Sequence, residues 1–172
     1  IEIHMSTQAS VRNIEGVKYF AKQNIDRVVL AREMNIREIE EICHNCSIDI
    51  EVFVHGALCM CVSGQCYFSA MLGGRSGNRG YCAQTCRLPF KVDGCDHALS
   101  LKDNSIIYYL DDMESIGVTS AKIEGRMKRP EYVASAVKAC YEKREKGFIS
   151  TATMENLKNV FSRTGFTDGY YT

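Results

Sequence analysis

The stretch Ile48-Asp49-Ile50-Glu51-Val52-Phe53-Val54-His55-Gly56 decides the fold. Its apolar and polar residues alternate up to Gly56, which reads as a β-strand. Upstream, Ile1-Glu2-Ile3-His4-Met5 and Asp26-Arg27-Val28-Val29-Leu30-Ala31 read as two more strands. Between them Ile14, Val17, Phe20 and Ala21 recur at helical spacing behind Asn13, a suitable N-cap. A second helix is expected from about Ile36 to Ile42, with Glu38, Glu40 and Glu41 on it. Downstream the pattern resumes with a helix around Ser105–Ser115 and a strand at Val118–Ile123. A helix from Pro130 to Lys146 follows, with proline in its first turn and Gly147 at its C-cap. A last helix, about Met154–Phe161, leads into the turn-rich Gly165-Phe166-Thr167-Asp168-Gly169.

Strands alternating with helices imply an α/β fold with a parallel sheet under covering helices. Four strands would make about half of a (β/α) TIM barrel. Residues 1–172 are therefore expected to form one partial barrel domain, its C-terminal half, in which 56–95 is an inserted Cys/Gly-rich loop. The opening Ile1-Glu2-Ile3-His4-Met5 reads as a strand already under way, so an N-terminal half or a partner subunit is expected to complete the barrel. In that architecture the residues just past each strand form the active face. Here they are Ser6-Thr7-Gln8, Ala31-Arg32-Glu33, His55-Gly56-Ala57 and Glu124-Gly125-Arg126.

The chain has 172 residues, 45% of them hydrophobic and 24% charged, and a formal net charge of zero. Any nucleic-acid contact must then come from a local basic patch. No apolar run approaches the roughly 20 residues of a membrane span, and no signal-peptide pattern opens the chain. A cytoplasmic protein is expected, in which the nine cysteines stay reduced and favour metal binding or catalysis over disulfides.

Six of those nine lie between Cys59 and Cys95. After Gly56 the periodicity stops for about 35 residues, a length that is usually functional. Cys43, Cys46, Cys61 and Cys140 fall in or beside regular elements or apolar phrases and are read as packing residues. Cys59, Cys66, Cys82 and Cys86 have little core to enter, and four thiolates suit either an iron–sulfur cluster or a structural zinc. Between them runs Gly73-Gly74-Arg75-Ser76-Gly77-Asn78-Arg79-Gly80, whose glycines let backbone amides approach an anion and whose arginines grip phosphate or carboxylate. A second charged focus, Lys122-Ile123-Glu124-Gly125-Arg126-Met127-Lys128-Arg129, follows the last strand. No H-E-x-x-H, G-x-S-x-G or G-x-x-x-x-G-K-[ST] motif occurs, so no familiar hydrolase machinery is legible.

Several of these phrases together resemble one family. Glu51 to Cys59 with Ser63-Gly64-Gln65-Cys66 is similar to the signature of the collagenase-like peptidases of unassigned catalytic type. Ser6-Thr7-Gln8-Ala9, Asn78 to Phe90, Lys122 to Lys128 and Gly165 to Gly169 match as well, in order and over nearly the whole chain. The resemblance implies a hydrolase acting on peptide bonds, as the family name says, or an RNA-modifying enzyme. Other members hydroxylate the wobble uridine of tRNA or a ribosomal cytidine, with prephenate as co-substrate and a cysteine-bound 4Fe–4S cluster.

By that resemblance Cys59, Cys66 and Cys82 are cluster ligands. Several members place a cysteine two residues after a Lys-Asp pair, whereas Lys102-Asp103 is followed here by Asn104-Ser105, so the fourth ligand is expected at Cys86, with Cys95 as the alternative. Arg75, Arg79 and Arg126 are expected to bind carboxylate or phosphate. Lys122, Glu124, Arg126 and His55 are the candidate catalytic residues. The expected function is oxygen-independent hydroxylation of tRNA wobble uridine, with a peptidase as the alternative and zinc as the alternative metal.

Overall fold

The computed structural model describes residues 1–172, built around strand β3 (Asp49–Ala57). The alternating stretch forms this strand, and the chain is buried from Ile50 through Gly56 on both faces. Two polar residues inside it find local partners: Glu51 is met by cations and a hydroxyl, and the Nδ1 of His55 by Ser105. Strand β2 (Arg27–Val29) pairs in parallel with Asp49–Glu51, and β1 (His4–Met5) pairs in parallel with β2. Strand β5 (Ser120–Ile123) runs parallel to β3 from Glu51 to His55, with a register shift between Phe53 and His55.

Two further strands are not suggested by any pattern in the chain. β4 (Asp103–Ser105) pairs antiparallel with His55–Ala57, and β6 (Phe166–Thr167) pairs in parallel with β4. The expected helix at Ser105–Ser115 is displaced accordingly. A 3₁₀ turn occupies Ile107–Tyr109, and helix α4 spans Leu110–Ser115. Asp-Asn-Ser is poor in strand formers, so the pairing edge of β3 selects this strand. The opening strand is also shorter than expected, because Ile1 and Ile3 lie exposed outside β1. The result is a mixed α/β architecture with a sheet in which every pairing but β3–β4 is parallel.

The helices follow their caps. Helix α1 (Ile14–Ala21) starts at Asn13, whose side chain accepts from the Gly16 N–H at 2.8 Å. Helix α2 (Ile36–Asn45) is longer than expected and starts with a reciprocal capping box between Asn35 and Glu38. Asn35→Ala should therefore cost about 1 kcal/mol of stability, measurable by urea unfolding. A loss below a few tenths would mean that the cap is idle. Ile39 and Ile42 of α2 enter a core with Val17, Val28, Leu30, Ile50 and Val54. Helix α5 (Pro130–Lys146) ends at Gly147 in the left-handed conformation, and α6 (Thr151–Val160) is capped by Ser150. Together α5 and α6 build a second cluster from Ala136, Ala139, Ile149, Met154 and Leu157. No helix is long and apolar enough to cross a membrane.

The stretch after Gly56 carries more structure than its sequence suggested. Helix α3 (Phe68–Gly73) and 3₁₀ turns at Gly77–Arg79 and Thr85–Arg87 interrupt it. The Gly64 backbone, at φ 76°, is what seats this segment. A Cβ there would stand 2.2 Å from the Gln8 carbonyl oxygen, so only glycine lets the two loops touch.

Candidate active site: a cysteine-lined basic cavity

The C-terminal ends of β2, β3 and β5 open into one cavity of about 760 Å³ roofed by the cysteine-rich segment. This is where ligands bind in parallel α/β sheets, beyond the carboxyl ends of the strands. Arg32, from the loop after β2, lies over the Phe53 ring at 3.8 Å and reaches Glu124 at 3.6 Å. Glu124 follows β5 and accepts the Arg126 backbone N–H at 3.0 Å. It comes this close to β3 because Gly56 has no side chain. A Cβ on Gly56, at φ 138°, would sit 2.5 Å from the Glu124 Cβ.

Lys122 lines the cavity and contacts Glu51 at 2.5 Å, while Ser120 donates to the same carboxylate at 3.0 Å. Burial alone would raise the Glu51 pKa, but Lys122, Ser120 and Arg27 together hold it below the usual range. Glu51 therefore stays ionised and anchors Lys122 as a cation. Arg126 donates to the Gly80 carbonyl at 3.2 Å and so ties the charged turn after β5 to the glycine loop.

Cys59, Cys66, Cys82 and Cys86 all line this cavity, and so does Cys61, expected from the sequence only to pack. Surrounding protein raises the Cys59 thiol pKa, Arg32 opposes the rise, and Cys86, Cys82 and Cys66 add to it. Although Cys59 is open to the cavity by surface area, protein packs around it on its other sides. The Gln84 N–H donates to the Cys82 sulfur at 3.3 Å. No three His, Cys, Asp or Glu side chains converge closely enough to hold a metal ion. By donor type alone, soft sulfurs facing one cavity suit iron or zinc, but the side chains do not converge on a metal position. Cys95 is exposed and outside the cavity wall.

Three of the other expected site residues lie elsewhere. Arg75 and Arg79 are exposed and outside the cavity wall. His55 is fully buried beneath the cavity, because β3 continues two residues past it and the irregularity at Phe53–His55 turns its ring between Tyr132 and Phe166. Its Nδ1 is 3.1 Å from the Ser105 hydroxyl, and its Nε2 has no partner. This Ser–His pair lies outside the cavity wall, where no substrate carbonyl could meet it.

Burial, helped by Lys128, lowers the His55 pKa from its ordinary 6.5 to about 4. The unfolded chain then binds more protons than the folded one between those values, so stability falls as pH drops from about 6.5 to about 4. The loss should be on the order of 3 kcal/mol and should largely vanish in His55→Gln, as read by urea unfolding at several pH values. An unchanged pH slope in the variant would assign the acid sensitivity to other groups.

Several residues that shape the cavity carry no motif-level signal. Arg163 lines it and is ion-paired with buried Asp103, and it also donates to Gln84 at 3.2 Å. Arg87 bridges Leu58, Ser100 and Leu101 through its guanidinium at 2.6–3.1 Å, stapling the cysteine segment to the sheet. Glu33 accepts from both the Ser63 N–H, at 2.9 Å, and its hydroxyl, at 3.1 Å. In all, six Lys and Arg side chains and one carboxylate, Glu124, face the cavity of a chain whose net charge is zero. A pattern search finds clusters along the sequence, whereas this one assembles from four separate segments.

The chain is 38% identical to a 23S rRNA 5-hydroxycytidine synthase of Escherichia coli, over 94% of this chain and 27% of that protein. It is 36% identical to a collagenase of Porphyromonas gingivalis, over 99% of this chain and 48% of that protein. It is 40% identical to tRNA hydroxylation protein P1 of Bacillus subtilis, over 80% of this chain and 36% of that protein. The chain thus spans less than half the length of each of these relatives. No solved structure matches it. The description of Peptidase family U32 matches residues 1–172 from end to end, and the chain belongs to that family.

Proposed function

We propose that this chain forms half of a (β/α) barrel whose cavity hydroxylates a pyrimidine base of RNA, the wobble uridine of tRNA, without molecular oxygen. The observation that carries this reading is the cavity itself, where five cysteines and six cations share one wall. Relatives named for tRNA and rRNA hydroxylation support the substrate class. An iron–sulfur cluster held by Cys59, Cys66, Cys82 and Cys86 would supply electron transfer. The protein residues do the remaining work. Arg32, Arg126 and Arg163 present positive charge to RNA phosphate and to the carboxylates of prephenate as co-substrate. Lys122, fixed by Glu51, and Glu124, fixed by Arg32 and the Arg126 N–H, offer a cation and a carboxylate at the floor. Glu124 is the one acidic wall residue able to move a proton there.

The test is the full-length protein, purified anaerobically, together with tRNA nucleosides from cells with and without its gene. The expected result is a brown protein with about four irons per chain and loss of hydroxylated uridine on deletion. A colourless protein holding one zinc, or unchanged nucleosides with peptide cleavage retained, would overturn the reading.

A further inference from the structure

From Val52 to Val92 the chain contains no aspartate or glutamate, although acids and bases balance at 21 each over its length. The cations of that stretch are Arg75, Arg79, Arg87 and Lys91. Arg87 is engaged with the sheet, and Lys91 with Asp96 at 3.2 Å. Arg75 and Arg79 are exposed. Arginine hydrogen bonds and ion pairs fall instead on Arg27, Arg32, Arg87, Arg126 and Arg163. Two residues past Arg79 stands Tyr81, 62% exposed. The exposed tyrosines outside this stretch, Tyr19, Tyr108, Tyr141 and Tyr170, lie within a helical turn's length of Glu15, Asp111, Glu142 and Asp168 along the chain. Only the acid-free stretch therefore joins an open aromatic ring to uncompensated positive charge.

The loop that carries these three residues is fixed by hydrogen bonds. The Tyr81 N–H donates to the Ser76 carbonyl at 3.0 Å and closes the loop around the 3₁₀ turn at Gly77–Arg79. The Asn78 side chain donates to the Gly64 carbonyl at 2.8 Å, and Arg126 holds the Gly80 carbonyl from the other side. Gly77 and Asn78 thereby line the cavity, whereas Arg75, Arg79 and Tyr81 stay outside its wall. The loop thus has an inner side that belongs to the cavity and an outer side that continues from its mouth. Arginine grips phosphate through its planar fork, and an open ring offers its face to an unpaired base. A duplex hides its base faces, so a ring beside cations selects a single strand.

We propose that the outer side of the 75–81 loop is a second binding site, outside the cavity, for the single-stranded RNA that flanks the nucleotide entering it. Arg75 and Arg79 hold phosphates of the strand, and Tyr81 stacks on an unpaired base. None of the three touches the reacting base or its co-substrate, so they set affinity and strand preference, not chemistry. The choice of RNA as the polymer rests on the hydroxylation reading. The face itself follows from the loop's charge, its open ring and its continuity with the cavity mouth.

The experiment follows the fluorescence anisotropy of a labelled, unmodified anticodon stem-loop RNA with the full-length protein over a range of salt concentrations. Arg75→Ala/Arg79→Ala should weaken binding about tenfold and lower the slope of log Kd against log salt by about 1.4, the share of two phosphates on a single strand. Tyr81→Ala should weaken binding about tenfold with the slope unchanged. Tyr81→Phe should bind as wild type, because the base meets the ring face and not the hydroxyl. Arg37→Ala, an exposed arginine on α2, should also bind as wild type. Fully paired RNA should compete poorly, and a denatured-collagen peptide should not compete. Wild-type affinity and slope in the double variant would overturn the proposal, as would equal competition by the duplex or displacement by the peptide. That result would leave the hydroxylation reading standing, since nucleosides lost on gene deletion report the reaction and not the loop. Unchanged nucleosides with loop-dependent binding would do the reverse.

Discussion

Asp103→Ala should destabilise the protein by about 3–5 kcal/mol, more than any other single polar substitution considered. Asp103 is 1% exposed on β4, and it accepts from both the guanidinium and, at 3.3 Å, the backbone N–H of Arg163. The Arg163 side chain is itself only 13% exposed. Without the carboxylate, a largely buried guanidinium retains Gln84 as its one side-chain acceptor. Uncompensated buried charge is expensive, whereas an apolar replacement of both partners is often nearly neutral. The double variant Asp103→Leu/Arg163→Met should therefore recover most of the loss in urea unfolding. A single-variant cost below about 1 kcal/mol would show that the pair behaves as a surface ion pair, and would contradict its placement under the cavity.

On the proposed function, Cys59→Ser in the full-length protein should remove hydroxylated uridine from tRNA altogether while leaving any peptide cleavage largely intact. Cys59 follows the end of β3 and shares the cavity wall with Cys61, Cys66, Cys82 and Cys86, so its loss removes one of the four proposed ligands without opening a cavity in the core. Iron content and visible absorption should fall with activity. Cys140→Ser is the matched control. That cysteine packs against both apolar clusters on α5 and is outside the cavity wall, so iron and hydroxylation should persist. Retained hydroxylation in Cys59→Ser would remove the cluster from the mechanism.

The chain's local patterns carry much of this molecule. Asn13, Pro130 and Gly147 mark helix ends because caps act within one turn, and α1 and α5 begin and end where those residues place them. The alternation from Ile48 to Gly56 marks β3 because its side chains point to opposite faces by period two. The rim residues Arg32, Glu124 and Arg126 are also legible, since strand ends position whatever follows them. The cavity cysteines stand out because a polar, glycine-rich stretch offers them no core. His55 shows where such reading stops. It sits near a strand end in the sequence, yet the register shift beside it sends its ring inward between Tyr132 and Phe166.

The order of β1, α1, β2, α2, β3, β5, α5 and α6, with the caps at Asn13, Pro130 and Gly147, was thus a property of the chain itself, because each depends on residues within a few positions of one another. Other features belong to the assembled structure alone. The strands β4 and β6 exist because the end of β3 offers unpaired backbone to Asp103-Asn104-Ser105, which in turn offers it to Phe166. Arg163 meets Asp103 across 60 residues of chain. Lys128 meets the Phe161 ring only in the folded chain, and Arg75 and Arg79 miss the cavity although they neighbour its cysteines in sequence. Charge and hydrogen-bond energies fall off over a few ångströms of space, and separation along the chain does not measure that distance.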